Sequence, residues 1–218
     1  MANAVYRTSS FGDTHFGTRT NTTLTPGVTA ASNEGLLALL YTSTSVTVTA
    51  PSGWAEYGST FTMSGTDIIR FYRKVAGGSE PSSYTWTHAS ATTFGAIYIV
   101  QNVNTTDFLD FVAFGNTSGG QDPSASGTTT EANVLLLSHF TYINNAGTVT
   151  EPSGFTEVGD RVNTFGVAHL LQAGAGGTGA ITWDTTVNDN TITILIGVKS
   201  EAVLTNTRRY SLPLTGVG

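Results

Sequence analysis

Short apolar runs recur along this chain, most of them alternating with polar residues, and clusters of Gly, Pro and Asn separate them. A period of two, or a brief continuous apolar run closed by turn-forming residues, is how a β-strand shows itself in sequence. On that pattern residues 36–42, 67–75, 84–88, 96–103, 134–140, 165–171, 180–184 and 191–199 read as strands, and no segment carries a helical period. Across 67–75, Ile69, Phe71 and Val75 fall on one face and Arg70, Tyr72 and Lys74 on the other, so that strand is expected to be half-buried.

The pattern occurs twice. Residues 47–58 read Thr-Val-Thr-Ala-Pro-Ser-Gly-Trp-Ala-Glu-Tyr-Gly and residues 148–159 read Thr-Val-Thr-Glu-Pro-Ser-Gly-Phe-Thr-Glu-Val-Gly, an offset of 101 from Pro51 to Pro152. Tyr84-Thr85-Trp86 matches Ile181-Thr182-Trp183 at an offset of 97 from Trp86 to Trp183, and Ser10-Phe11-Gly12 pairs more weakly with Ala113-Phe114-Gly115. Such self-similarity predicts two repeated units, 1–103 and 104–200. In each, Pro-Ser-Gly is a turn that delivers an aromatic into the core, Pro fixing φ and Gly relieving the corner. Trp54 and Phe155 are these anchors, with Trp86 and Trp183 beside them as further structural anchors.

Residues 104–132 between the units include Phe108, Phe111, Val112 and Phe114, too many apolar side chains for a free linker. The expected fold is therefore all-β: one β-sandwich over 1–204, jelly-roll-like, in which the two repeats share sheets. Two tandem immunoglobulin-like sandwiches are the other arrangement open to such a duplication. Residues 205–218 read as a C-terminal arm. Within it Arg208, Arg209, Tyr210, Leu212 and Leu214 are candidate partner-binding residues, able to lie on a partner or add a strand to it.

Composition sharpens this picture. Only 11% of the 218 residues are charged, so Thr, Ser, Asn and Gly must carry the polar surface. Natural sheets guard their edges with Lys, Pro or bulges, yet the chain has two lysines, Lys74 and Lys199. Its edges are expected to be covered by neighbours, as in a homo-oligomer such as a trimer. A net charge of −6 opposes a phosphate-tracking surface. With no cysteine there is no disulfide or thiol nucleophile, and neither a signal peptide nor a membrane span is apparent, which points to cytoplasmic synthesis.

Motifs for chemistry are not found: there is no nucleophile elbow, phosphate loop, His-Glu-x-x-His or calcium loop, and no catalytic, cofactor or metal residue is assigned. His15, His88, His139 and His169 stand singly and read as strand-surface residues. Glu56 and Glu157 are a tempting acid pair for sugar hydrolysis. Their equivalent positions in the two units favour a role in the fold. Asp184, Asn188, Asp189 and Asn190 read as a solvated hairpin loop, and Arg70, Arg73 and Lys74 as a basic spot facing an acidic partner or solvent.

Pro51-Ser52-Gly53-Trp54, Phe71-Tyr72-Arg73-Lys74-Val75-Ala76, Glu80-Pro81-Ser82-Ser83-Tyr84-Thr85-Trp86 and Val103-Asn104-Thr105-Thr106-Asp107 together resemble a β-sandwich domain recurrent in tailed-bacteriophage structural proteins and bacterial surface proteins. Pro152-Ser153-Gly154-Phe155 and Gln172-Ala173-Gly174-Ala175-Gly176-Gly177 extend the likeness, which covers about residues 30–200. The resemblance implies a non-catalytic virion module, most similar to a capsid decoration protein on the outer shell with the major capsid protein as partner. The other reading it allows is a receptor- or carbohydrate-binding module, with Trp54, Tyr57 or Trp86 exposed to sugar.

Overall fold

The computed structural model describes residues 2–12, 18–63, 65–142, 148–161, 165–186 and 189–201, and among these every regular element is a strand. The first half contributes β1 (Val5–Gly12), β2 (Thr18–Leu24), β3 (Gly35–Thr42), β4 (Val48–Thr49), β5 (Ala55–Glu56), β6 (Phe61–Thr62), β7 (Ile68–Val75) and β8 (Tyr84–Gln101). The second contributes β9 (Leu109–Gly120), β10 (Ser124–Ala125), β11 (Thr128–Thr129), β12 (Val134–Tyr142), β13 (Val149–Thr150), β14 (Thr156–Arg161), β15 (Phe165–Gln172), β16 (Gly176–Gly177), β17 (Ile181–Thr182), β18 (Asp184–Thr185) and β19 (Asp189–Val198).

Pairing is antiparallel throughout the two large sheets. One has the order β1-β8-β3-β7-β5, with β6 also on β7 and with β2 and β4 on the N-terminal part of β8. The other has the order β14-β15-β12-β19-β9, and β10-β17, β11-β16 and β13-β18 are small two-stranded ladders. Each large sheet is centred on a strongly apolar strand, and the reason is double-sided burial. All eight positions of β3 are buried: Leu37, Leu39 and Tyr41 enter a core between the large sheets, while Leu36, Ala38 and Leu40 enter an outer core with Trp54, Tyr72 and Trp86. In β12, Leu135 and Leu137 join the central core, whereas Val134, Leu136 and Phe140 join a second outer core with Phe155 and Trp183. At about 1.5–3 kcal/mol for each fully buried large side chain, both faces of these strands hold the layers together.

The half-burial expected for 67–75 does not hold. Ile68 to Tyr72 are all buried, Ile69 and Phe71 in the central core and Tyr72 in the outer one. A polar residue on the second face misled the alternation. Arg70 lies in the interior because its Nη2 donates to Val46 O at 2.7 Å and its Nε lies 3.8 Å from Glu56. The segments 84–88 and 96–103 are joined in one 18-residue strand, β8, which pairs first with β2 and β4 and then with β1 and β3. Residues 180–184 are divided between β17 and β18.

Both Pro-Ser-Gly turns have the same geometry. Gly53 and Gly154 each sit at φ 83°, where a β-carbon is disfavoured. Trp54 N donates to Pro51 O at 3.2 Å and Phe155 N to Pro152 O at 3.0 Å. Trp54, Phe155, Trp86 and Trp183 are all buried.

Candidate interaction edge

The large sheets stack with their edges opposed. Phe61 of β6 lies on Phe114 of β9 at 4.7 Å, and on the other side Phe11 of β1 lies on Phe165 of β15 at 5.4 Å. An open strand edge presents unpaired N–H and C=O groups that a further chain can satisfy. Two of the edges are broken by bulges: β1 shifts register between Tyr6 and Thr8, and β14 between Glu157 and Gly159. β5 and β6 are two residues each.

β9 shifts register too, but only near its two ends. From 111 to 117 it matches β19 residue for residue, with no shift until Asp189 at one end and Val198 at the other. It contains no Lys, Arg or Pro. Its one charge, Asp110, is engaged by Thr130, whose N and Oγ1 donate at 2.8 and 2.5 Å. Phe111, Val112, Ala113 and Phe114 are only half-buried, and among the described residues β9 closes the strand order with no strand on its outer side. Alongside runs a groove of ≈230 Å³ formed by residues 57–61 with Val112 and Phe114. Above its rim the Arg73 guanidinium lies 4.9 Å from the centre of the Tyr57 ring. A straight unpaired edge next to an apolar groove is the arrangement that accepts an added strand: the main chain supplies hydrogen bonds, and the groove takes an apolar side chain.

Neither lysine guards this edge. Lys74 Nζ donates to Glu80 Oε2 at 2.7 Å and Lys199 Nζ to Asp107 Oδ2 at 2.8 Å. Arg73 Nη1 reaches the same Asp107 at 2.9 Å. The basic spot at Arg70, Arg73 and Lys74 is thus paired with acids of the same chain, Glu56, Asp107 and Glu80. Lys199 and Arg73 hold the Asp107 carboxyl below its ordinary pKa. Burial alone would raise that of Glu80, but donation from Lys74, Tyr84 and the Gly77 amide outweighs it and the net shift is downward.

Two of the three described histidines are buried and not on a strand surface. His88 is buried, with Nδ1 donating to Ala89 O at 2.8 Å and Nε2 bonded to Thr22 Oγ1 at 3.0 Å. His139 is buried in the central layer with its Nδ1 hydrogen-bonded to the Tyr98 hydroxyl, and His169 is half-buried on the ring of Tyr6. The signal for His139 lay in its parity with Leu135 and Leu137, which places it on their face. His15 lies outside the described residues.

Glu56 is on β5 and Glu157 on β14, at opposite lateral edges of the stack, so no cleft joins them. Asp184 belongs to β18, and β19 begins at Asp189; Asn188 lies outside the described residues. Arg208, Arg209, Tyr210, Leu212 and Leu214 also lie outside them. No family model, curated protein or solved structure matches the chain.

Proposed function

We propose that this chain is a non-enzymatic structural protein of a bacteriophage virion, a decoration protein that binds the outer capsid surface as a homo-oligomer. The single observation that carries the binding role is the straight, unguarded β9 edge beside the 57–61 groove. The virion setting rests on the quoted sequence resemblance. The arm with Arg208, Arg209, Tyr210, Leu212 and Leu214 is assigned a second grip on the major capsid protein. The two halves are read as duplicated units, an idea supported by their strand orders, β5-β7-β3-β8-β1 and β14-β15-β12-β19-β9.

The alternative, a receptor- or carbohydrate-binding module, rests on Tyr57 and Phe61 at the groove, because Trp54 and Trp86 are buried and offer no stacking face. Cosedimentation with expanded empty capsids separates the readings. Saturable, stoichiometric binding is expected, and Val112→Lys, which places a guarding charge on the edge, should weaken it about tenfold or more. Retention by host polysaccharide with no capsid binding would replace the decoration reading with the alternative.

A further inference from the structure

Among the mostly apolar side chains between the large sheets, the second sheet turns two histidines toward tyrosines of the first, and the buried Thr141 lies beside one of them. His139 of β12 meets Tyr98 of β8, and His169 of β15 stacks on Tyr6 of β1 at 5.5 Å. His139 is 3% exposed, and its ring lies 6.4 Å from Phe11 and 5.9 Å from Phe165. Nδ1 is hydrogen-bonded to the Tyr98 hydroxyl, a group that can either donate to the ring or accept from it. A cavity of ≈10 Å³ lies beside the ring, walled by Leu39, Tyr41, Phe94, Phe165 and Ile194 among others. That is at the lower limit of about 10–15 Å³ for a single water.

The titratable groups packed around His139 are few. β8 presents Tyr98 and β3 presents Tyr41, whose hydroxyl is hydrogen-bonded to Asp67. The wall residues from β7 (Ile69), β15 (Phe165) and β19 (Ile194), with Phe11 of β1, carry no ionisable group. Around His169 the neighbours are Tyr6, whose hydroxyl donates to Ser9, and Thr156 across the ladder on β14; Glu157, next along β14, is opposite Ala168 instead.

We propose that the joint between the two large sheets is acid-sensitive: a proton taken up by His139 leaves an imidazolium in the central core with only the neutral Tyr98 hydroxyl as partner and no anion, so the joint loosens in mild acid before the outer cores do. Burial agrees with the geometry, holding the His139 pKa down to about 3 and lowering that of His169. The sign follows from linkage. A histidine whose folded pKa lies below its unfolded value of about 6.5 favours the fold above 6.5, and that advantage disappears as pH falls toward the folded pKa. Between pH 7.5 and 4.5, His139 alone shifts the unfolding equilibrium about a hundredfold toward the open form.

The placement of the tryptophans makes this testable on the full chain. Trp54 and Trp86 belong to one outer core and Trp183 to the other, so none reports on the joint. Lowering the pH from 7.5 to 4.5 should increase binding of a hydrophobic dye while tryptophan emission stays blue. His139→Gln retains an acceptor for Tyr98 but does not titrate in this range, and it should remove most of the dye response and the hundredfold term; His139→Leu with Tyr98→Phe, which removes both partners, should do the same. Dye binding that coincides with a red shift of tryptophan, no dye response in the wild type, or unchanged acid dependence in whichever variant folds would overturn the proposal.

Discussion

Trp86 and Trp183 are both fully buried, yet only one indole is hydrogen-bonded. Trp183 Nε1 donates to Ser138 Oγ at 2.9 Å, while Trp86 Nε1, Trp54 Nε1 and the Tyr72 hydroxyl have no partner among the described residues. A buried donor deprived of its acceptor bears its full desolvation cost, whereas removing a donor that had none relieves one. Ser138→Ala should therefore lower stability by about 1–3 kcal/mol, and Tyr72→Phe should leave it unchanged or raise it by up to about 1 kcal/mol, as read from urea unfolding. Glu80 is the opposite case, a carboxylate filled with donors: Lys74 Nζ at 2.7 Å, Tyr84 Oη at 2.6 Å and Gly77 N at 2.6 Å. Its folded pKa is lowered, so its contribution is present at neutral pH and fades as pH falls below 4.5 through the folded value. Glu80→Gln should cost about 2 kcal/mol at pH 7, and the gap to wild type should narrow in acid. Among single residues, the Pro-Ser-Gly-aromatic turns could be read from sequence because Pro, Gly and a large ring act locally. The pairing of Arg73 and Lys199 with Asp107 could not, because the partners stand 34 and 92 positions apart.

At the scale of elements, burial on both faces explains what pattern reading caught and what it lost. Continuous runs such as Leu36 to Tyr41 announced buried strands, but Arg70 in β7 looked like solvent exposure when its charge is met by Glu56. The identity of β9 as an edge was invisible for another reason. Phe111 to Phe114 have the composition of an interior strand, and only the strand order reveals that one side has no partner strand among the described residues. Packing between elements is close where a ladder glycine receives a ring. A β-carbon at Gly166 of β15 would lie 2.7 Å from Trp183 Cζ3, while one at Gly174 meets nothing within 4 Å. Gly166→Ala should cost about 1–3 kcal/mol through overpacking. Gly174→Ala is the control, expected within about 0.5 kcal/mol of wild type in the same denaturation experiment.

For the whole molecule, the decisive fact is which side chains form the central core. Leu37, Leu39 and Phe71 come from before residue 103 and Leu135, Leu137 and Ile194 from after it, so neither half can bury its inner face alone. The ladders are also non-local, β1 pairing Val5 with Gln101 and β9 pairing Leu109 with Val198. Pairings of that span put the folding time in the range of milliseconds to seconds. At neutral pH, where the joint is intact, tryptophan emission and far-ultraviolet dichroism should report one coincident unfolding transition. Cutting the chain between residues 103 and 104 tests the same coupling. Expressed separately, each half should self-associate through its exposed inner face, and mixing them should yield a one-to-one complex with the mass of the intact protein. Two monomeric halves, each with its own cooperative transition and no tendency to combine, would mean that the outer cores suffice and that the arrangement is energetically a tandem pair.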